Sequence, residues 1–176
     1  MRNIELKARL HDLAYARALA ERIATQHLGV QEQTDTYFHC RQGRLKLREI
    51  RGRNSQLVSY ARPDQQGPKA SDYQLVAVPD AESLKAALAS VLGVRGVVRK
   101  RREIFLYHNV RIHLDQVDGL GTFLEFEAVL TDGMDDAAGH AQLRELSARF
   151  AIRPDDLLPG SYGDWVDRQD DRDSHA

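Results

Sequence analysis

Period-two alternation of apolar and polar side chains dominates the chain and recurs in about eight stretches. They fall roughly at residues 2–10, 33–41, 44–50, 55–62, 70–78, 97–107, 110–117 and 121–130. Between them lie Gln42-Gly43, Gly52-Arg53-Asn54, Pro63 to Pro68, His108-Asn109 and Asp118-Gly119, all suited to turns. Stretches joined by such short breaks should pair antiparallel. Three segments carry helical spacing instead. Residues 12–27 start at an Asp12 cap and place Leu13, Ala16, Leu19, Ala20 and Ile23 together. Residues 80–92 start at Asp80, align Leu84, Leu88 and Leu92, and stop at Gly93. Residues 136–150 carry Leu143, Leu146 and Phe150.

The strand faces divide sharply. In the first strand Ile4, Leu6, Ala8 and Leu10 oppose Asn3, Glu5, Lys7 and Arg9. Leu45 and Leu47 oppose Arg44, Lys46 and Arg48; Val110, Ile112 and Leu114 oppose Arg111, His113 and Asp115. Leu124, Phe126, Ala128 and Leu130 oppose Phe123, Glu125, Glu127 and Val129. A sheet with one face in water explains any one of these strands. Alternating charges of both signs on four or more strands go beyond what solvation requires. Eight strands suffice to close a barrel. With the apolar faces outward under three helices, the charged faces would line its interior and need one another, metal ions or an ionic ligand. The expected fold is therefore α+β, an eight-stranded antiparallel barrel with about three flanking helices.

Composition narrows the partners. The 176 residues carry 25 basic and 26 acidic side chains, a formal net charge of −1 that argues against a general nucleic-acid binder. Residues 1–111 hold 20 Lys/Arg against 11 Asp/Glu, whereas residues 112–176 hold 5 against 15, so a basic first part folds against a carboxylate-bearing second part. Cys40 is the single cysteine, which excludes an internal disulfide framework, and it reads as a buried thiol. No stretch approaches an apolar membrane span and Met1 leads into no signal peptide, so a cytoplasmic protein without membrane attachment is expected. The polar residues 167–176 read as a mobile tail after a single domain over 1–166.

Glu5, Asp115, Glu125 and Glu127 converge if the faces share one interior. Bare carboxylates about 4 Å apart repel by roughly 4 kcal/mol at an effective dielectric of 20. A hard divalent cation relieves that repulsion, and an all-oxygen set suits Mg²⁺ or Mn²⁺. Pairing of each acid with a nearby arginine is the alternative. Opposite stand Lys7, Lys46, Arg48, Arg62, Lys100 and Arg102, and fixed cations facing a metal suit a metal-bound triphosphate. Arg99-Lys100-Arg101-Arg102 resembles a linear basic tag, but alternation sends Lys100 and Arg102 to one face and Arg99 and Arg101 to the other. His113 and His39 read as structural strand histidines. Neither a phosphate-binding glycine loop with its lysine nor a nucleophile elbow is present.

Asn3-Ile4-Glu5-Leu6-Lys7 resembles an E-x-E-x-K signature and Leu47-Arg48-Glu49 an L-R-E strand. Val98-Arg99-Lys100-Arg101-Arg102 fits V-x-K-x-R. Asp115 with the segment Leu120-Gly121-Thr122-Phe123-Leu124-Glu125-Phe126-Glu127 fits a D-x(4)-L-G-x-F-x-E-x-E motif, and Ser161-Tyr162-Gly163-Asp164 a closing S-Y-x-D. In that order, from residue 1 to about 166, these motifs resemble the CYTH domain proteins. This is the triphosphate tunnel fold of class IV adenylate cyclases, thiamine triphosphatases and inorganic tripolyphosphatases.

The resemblance implies that Glu5, Asp115, Glu125 and Glu127 hold one or two Mg²⁺ or Mn²⁺ ions. It implies that Lys7, Arg48, Lys100 and Arg102 grip the triphosphate, with Arg44 and Lys46 on the same face as Arg48. Two positions depart from the family. Asn3 replaces the first signature glutamate, and Ala61 falls where a family lysine precedes a proline, leaving Arg62 or Lys69 to supply that charge. Sequence similarity, including Arg62-Pro63-Asp64 and Lys69-Ala70-Ser71-Asp72-Tyr73, runs strongest to class IV adenylate cyclase-like members. The expected activity is conversion of ATP to cyclic AMP and pyrophosphate. Hydrolysis of tripolyphosphate or thiamine triphosphate is the alternative, followed by a non-catalytic polyphosphate or nucleotide binder. A homodimer is compatible with the cyclase-like reading.

Overall fold

The computed structural model describes residues 1–131 and 133–166. Eight strands close into one antiparallel barrel: β1 (Arg2–Arg9), β2 (Gln26–Phe38), β3 (Arg44–Ile50), β4 (Ser55–Ala61), β5 (Lys69–Val78), β6 (Val94–Tyr107), β7 (Val110–Val117) and β8 (Gly121–Val129). Around the barrel they run β1-β5-β4-β3-β2-β6-β7-β8. Two antiparallel meanders, β2–β5 and β6–β8, therefore meet along the β2–β6 seam, and β1 closes the remaining gap between β5 and β8. Closure pairs every strand on both sides and removes the exposed edges of an open sheet.

Three helices cover the outside: α1 (Leu13–Ile23), α2 (Ala81–Leu92) and α3 (Asp136–Arg149). Asp12, Asp80 and Asp135 cap their N-termini, each accepting a backbone N–H three residues on. Outward-facing Ile4, Leu6, Ala8, Ile112, Leu114, Leu124 and Phe126 pack with Ala16, Leu19 and Ala20 of α1 and Leu143 and Leu146 of α3. A second cluster joins Phe38, Leu47 and Val78 to Leu84, Leu88 and Leu92 of α2. Full burial of each large aliphatic or aromatic side chain contributes about 1.5–3 kcal/mol. The apolar core is thus a shell between barrel and helices, which leaves the interior to the polar faces. At Gly139 of α3 a Cβ would lie 2.6 Å from Cγ1 of Ile4, so this helix seats on β1 only because the position lacks a side chain.

Three expectations need correction. The first helix stops at Ile23, not residue 27, because Ala24 turns extended (φ −63°, ψ 139°) and Thr25 bonds Leu106. Residues 26–32 are strand, pairing with β6 in a ladder that starts at Gln26 opposite Leu106. There the strand has β6 on one side only and Leu28 and Val30 stay exposed, so no one-sided burial imprinted a legible pattern. β2 also ends at Phe38, which puts Cys40 in the hairpin turn, exposed and not buried. After α3 a short 3₁₀ turn (Pro154–Asp156) and a helical turn at 162–166 add local structure the periodicity did not predict. The expected tail over 167–176 lies outside the described residues. No helix is long and apolar enough to cross a membrane among the described residues.

Candidate active site

Strand alternation delivers the charged residues to one interior, and cross-strand register then decides who meets whom. Lys7 stands opposite Glu125, and Glu5 opposite Glu127, across β1–β8. Asp35 faces Arg48 across β2–β3, and Arg102 faces Asp115 across β6–β7. Arg111 and His113 of β7 face Glu127 and Glu125 of β8. Seven basic and three acidic side chains line the resulting cavity: Lys7, Lys46, Arg48, Arg62, Lys100, Arg102 and Arg111 against Glu5, Glu125 and Glu127. That excess of cations is a receptor for a polyanion.

Beneath the lining lie two wholly buried anions that hold the cations in place. Asp35 accepts from Lys46 Nζ at 3.0 Å, Lys100 Nζ at 2.9 Å and Arg48 Nε at 2.9 Å. Burial alone would raise its carboxyl, but Arg48, Lys100 and Lys46 outweigh that and hold it well below the usual carboxylate range. Asp115 receives Arg102 bidentately at 2.7 and 2.6 Å and the Tyr162 hydroxyl at 2.8 Å. Desolvation pushes the lysines the other way. Burial, then neighbouring arginines, lower Lys46 to about 8 and Lys100 to about 7.

The acidic wall is built from β8. Glu125 accepts from Arg102 Nη2 at 2.6 Å and lies 3.4 Å from Lys7 Nζ, while Glu127 pairs with Arg111 at 3.3 Å. His113 Nδ1 sits 3.8 Å from Glu125 and 3.9 Å from Glu127. One donor atom from each of these three residues falls within 4.8 Å of the others, so a cation fits among them. Glu5 instead pairs with Arg62, which also donates to the Gly160 carbonyl.

Most of the residues singled out by sequence meet here: Glu5, Lys7, Lys46, Arg48, Arg62, Lys100, Arg102, Glu125 and Glu127 line one cavity. Arg44 does not; it pairs with Asp64 and Asp164 at the barrel's end, although alternation placed it beside Lys46 and Arg48. Asp115 lies under the cavity, with Arg102 and Tyr162 engaging its oxygens. Lys69 bonds the Gln65 carbonyl, whereas Arg62 lines the cavity. Asn3 lines the cavity with its Oδ1 buried and unpartnered. Asp35 escaped the sequence reading, which placed Arg111 and His113 on the polar face of their strand but gave neither a role in the site. The signal for Asp35 was the alternation Gln33, Asp35, Tyr37, obscured because Thr34 and Thr36 on the other face are also polar.

The C-terminal segment completes the floor. Leu158 N–H bonds the Lys7 carbonyl, and Asp164 binds Ser161 and pairs with Arg44 and Arg95. That staple presses Tyr162 inward, where Lys7 Nζ lies 3.5 Å from its ring centre. A Cβ at Gly163 would approach the Tyr37 ring to 2.9 Å, so the segment docks through a glycine.

The fold is thus a closed antiparallel barrel whose interior is a cationic cavity with one acidic wall. The CYTH domain profile matches residues 1–162, and the chain belongs to that family. It is 29% identical over 172 residues to the adenylate cyclase CyaB of Aeromonas hydrophila, covering 90% of this chain and 85% of that one. A Pyrococcus horikoshii protein has the same fold with a TM-score of 0.81 at 24% identity, covering 93% of this chain and 99% of its own. A candidate adenylyl cyclase from Hippeastrum, with a dominant triphosphatase activity, superposes with a TM-score of 0.65 at 15% identity over 96% of each chain.

Proposed function

We propose that the barrel binds a metal-bound triphosphate and that its reaction is the class IV adenylate cyclase one, ATP to cyclic AMP and pyrophosphate. The observation that carries the triphosphate reading is the cavity itself, with seven cationic side chains and an acidic wall able to take a divalent ion. Lys7, Arg48, Lys100 and Arg102 would neutralise the non-bridging phosphate oxygens, which stabilises charge as the bond to the leaving group breaks. Glu125 and Glu127 would hold Mg²⁺ or Mn²⁺, with Glu5 across the strand pair and Asp115 orienting Arg102. When bound, such an ion supplies Lewis-acid charge at a phosphate oxygen. The ATP 3′-hydroxyl would attack the α-phosphorus, passing its proton to water, while the bond from the α-phosphorus to the α–β bridging oxygen breaks and pyrophosphate leaves.

One wall supports a nucleotide. Val58, Tyr60, Ser71, Tyr73 and Leu75 on β4 and β5 line the cavity without a charge, suited to the neutral end of an organic triphosphate. The likeness to CyaB points the same way. A hydrolytic reading, in which water attacks the terminal phosphorus of tripolyphosphate or thiamine triphosphate, draws on the triphosphatase activity of the Hippeastrum relative.

Product analysis separates them. Purified protein with Mg²⁺ or Mn²⁺ is given ATP, tripolyphosphate or thiamine triphosphate, and cyclic AMP, pyrophosphate and orthophosphate are measured together. Cyclic AMP and pyrophosphate in equal amounts from ATP is the expected result. Orthophosphate without cyclic AMP would replace the cyclase by a phosphohydrolase, and no product despite tight binding would leave a binding protein.

A further inference from the structure

His113 is a buried histidine whose Nδ1 has no hydrogen-bond partner. Its neighbours are unusual for such an atom. Directly opposite in the β7–β8 register stands Glu125, and Glu127 lies two residues further on the same face. The partners of Glu127 divide by oxygen, whereas His113 Nδ1 shares Oε2 of Glu125, at 3.8 Å, with Arg102 and Lys7. Arg111 engages Oε2 of Glu127. The closest approach of His113 to Glu127 is instead through Oε1, at 3.9 Å. The unpartnered nitrogen and the two carboxylates thus supply donor atoms within 4.8 Å of one another, a spacing a single cation bridges. An apolar strand residue would have filled the position without the cost of an unsatisfied buried nitrogen, which is about 1–3 kcal/mol.

We propose that His113 Nδ1 is a ligand of the cation held by Glu125 and Glu127, and that this nitrogen makes the site select Mn²⁺ and the later transition-metal ions over Mg²⁺. The inference rests on the reading of the β8 carboxylates as a metal site. Its chemical basis is donor type. Mg²⁺ prefers an all-oxygen shell and keeps its waters, whereas imidazole suits transition-metal ions and strengthens their binding along the divalent series. On a wall of two glutamates and water alone, Mg²⁺ and Mn²⁺ would be hard to tell apart. One imidazole separates them.

The test uses Mn²⁺ alone, added to the metal-free full chain without substrate. Pulsed electron paramagnetic resonance of the bound ion should show modulation from a directly coordinated ¹⁴N, and His113→Gln should abolish it while retaining Mn²⁺ binding. In competition titrations the wild-type protein should favour Mn²⁺ over Mg²⁺. His113→Gln should lose Mn²⁺ affinity by about 10-fold or more, a loss that even outer-shell partners of a ligand produce, with little change for Mg²⁺. Bound Mn²⁺ without nitrogen modulation, in the wild-type protein and hence independent of how any variant folds, would overturn the histidine ligand and leave the carboxylate site standing. An unchanged preference in folded His113→Gln would overturn it equally. Failure of the wild-type protein to bind Mn²⁺ at all, as Glu127→Gln is expected to fail, would overturn the metal site and this inference together.

Discussion

Asp35 is the residue on which three of the cavity's cations depend. Its two oxygens hold Lys46, Arg48 and Lys100 within 3.0 Å, and it is wholly buried. Asp35→Asn should leave three cations with no neutralising partner, costing about 3–5 kcal/mol as broken buried pairs do. The loss should shrink markedly when tripolyphosphate is present, since the ligand restores the missing charge. Thermal melts with and without tripolyphosphate check this; equal destabilisation in both would deny that the cluster faces the ligand. The lysines of the same cluster also set a pH dependence. Their folded values, about 8 for Lys46 and about 7 for Lys100, lie below the ordinary 10.5, so between about pH 7 and 10.5 the unfolded chain binds more protons. Stability of the empty barrel from these two groups should therefore rise with pH across that window. Triphosphate binding as proposed would draw on both lysines in their charged form, so at pH 8 it should take up protons and weaken further at pH 9. Calorimetry in buffers of different ionisation enthalpy measures the uptake, and a heat independent of buffer would refute it.

At the scale of elements, each strand has two jobs on its two faces. Ile4, Leu6 and Ala8 fasten β1 to α1 and α3, while Asn3, Glu5 and Lys7 face the cavity. This division made much of the fold legible in the sequence: the alternation named the strands, the Asp12 and Asp80 caps placed two helix starts, and Gly93 placed an end. What stayed hidden was where burial is not one-sided. Residues 26–32 form a strand flanked by a single neighbour, so 26–27 read as the end of a helix and 28–32 carried no element. In the same way Asp35 stayed hidden between threonines, and Arg44 was grouped with Lys46 and Arg48 because alternation reports a face and not a position along the barrel. Helix seating yields its own prediction. Gly139→Val should push α3 off β1, since the first added carbon already meets Ile4, and should lower stability by about 1–3 kcal/mol as overpacking does. Denaturant unfolding would measure it, and a midpoint equal to wild type would show that α3 has room to shift.

For the whole molecule, the barrel inverts the usual placement of charge. Its apolar shell lies between strands and helices, and its centre is ionic. Buried charges of both signs neutralise one another imperfectly, and the surplus among the lining side chains is positive. A folded domain bears the cost of such a centre most readily when a ligand completes it. Binding of a triphosphate should accordingly raise the melting temperature with ligand concentration, as any ligand of the native state alone does. The same logic explains why the site could be proposed from sequence but its pairing could not. Alternation places charges on a face, and only the register joins Arg102 to Asp115 and Lys7 to Glu125.

Whether this ionic interior holds a triphosphate is decided by a calorimetric titration of tripolyphosphate into the wild-type protein and Arg48→Ala. Saturable one-to-one binding to the wild type that weakens with salt is expected, with an affinity lower by about 10-fold or more in Arg48→Ala, equivalent to the roughly 1.5–3 kcal/mol of a charge-assisted hydrogen bond. Equal affinity in the two proteins, or no binding to the wild type, would contradict it.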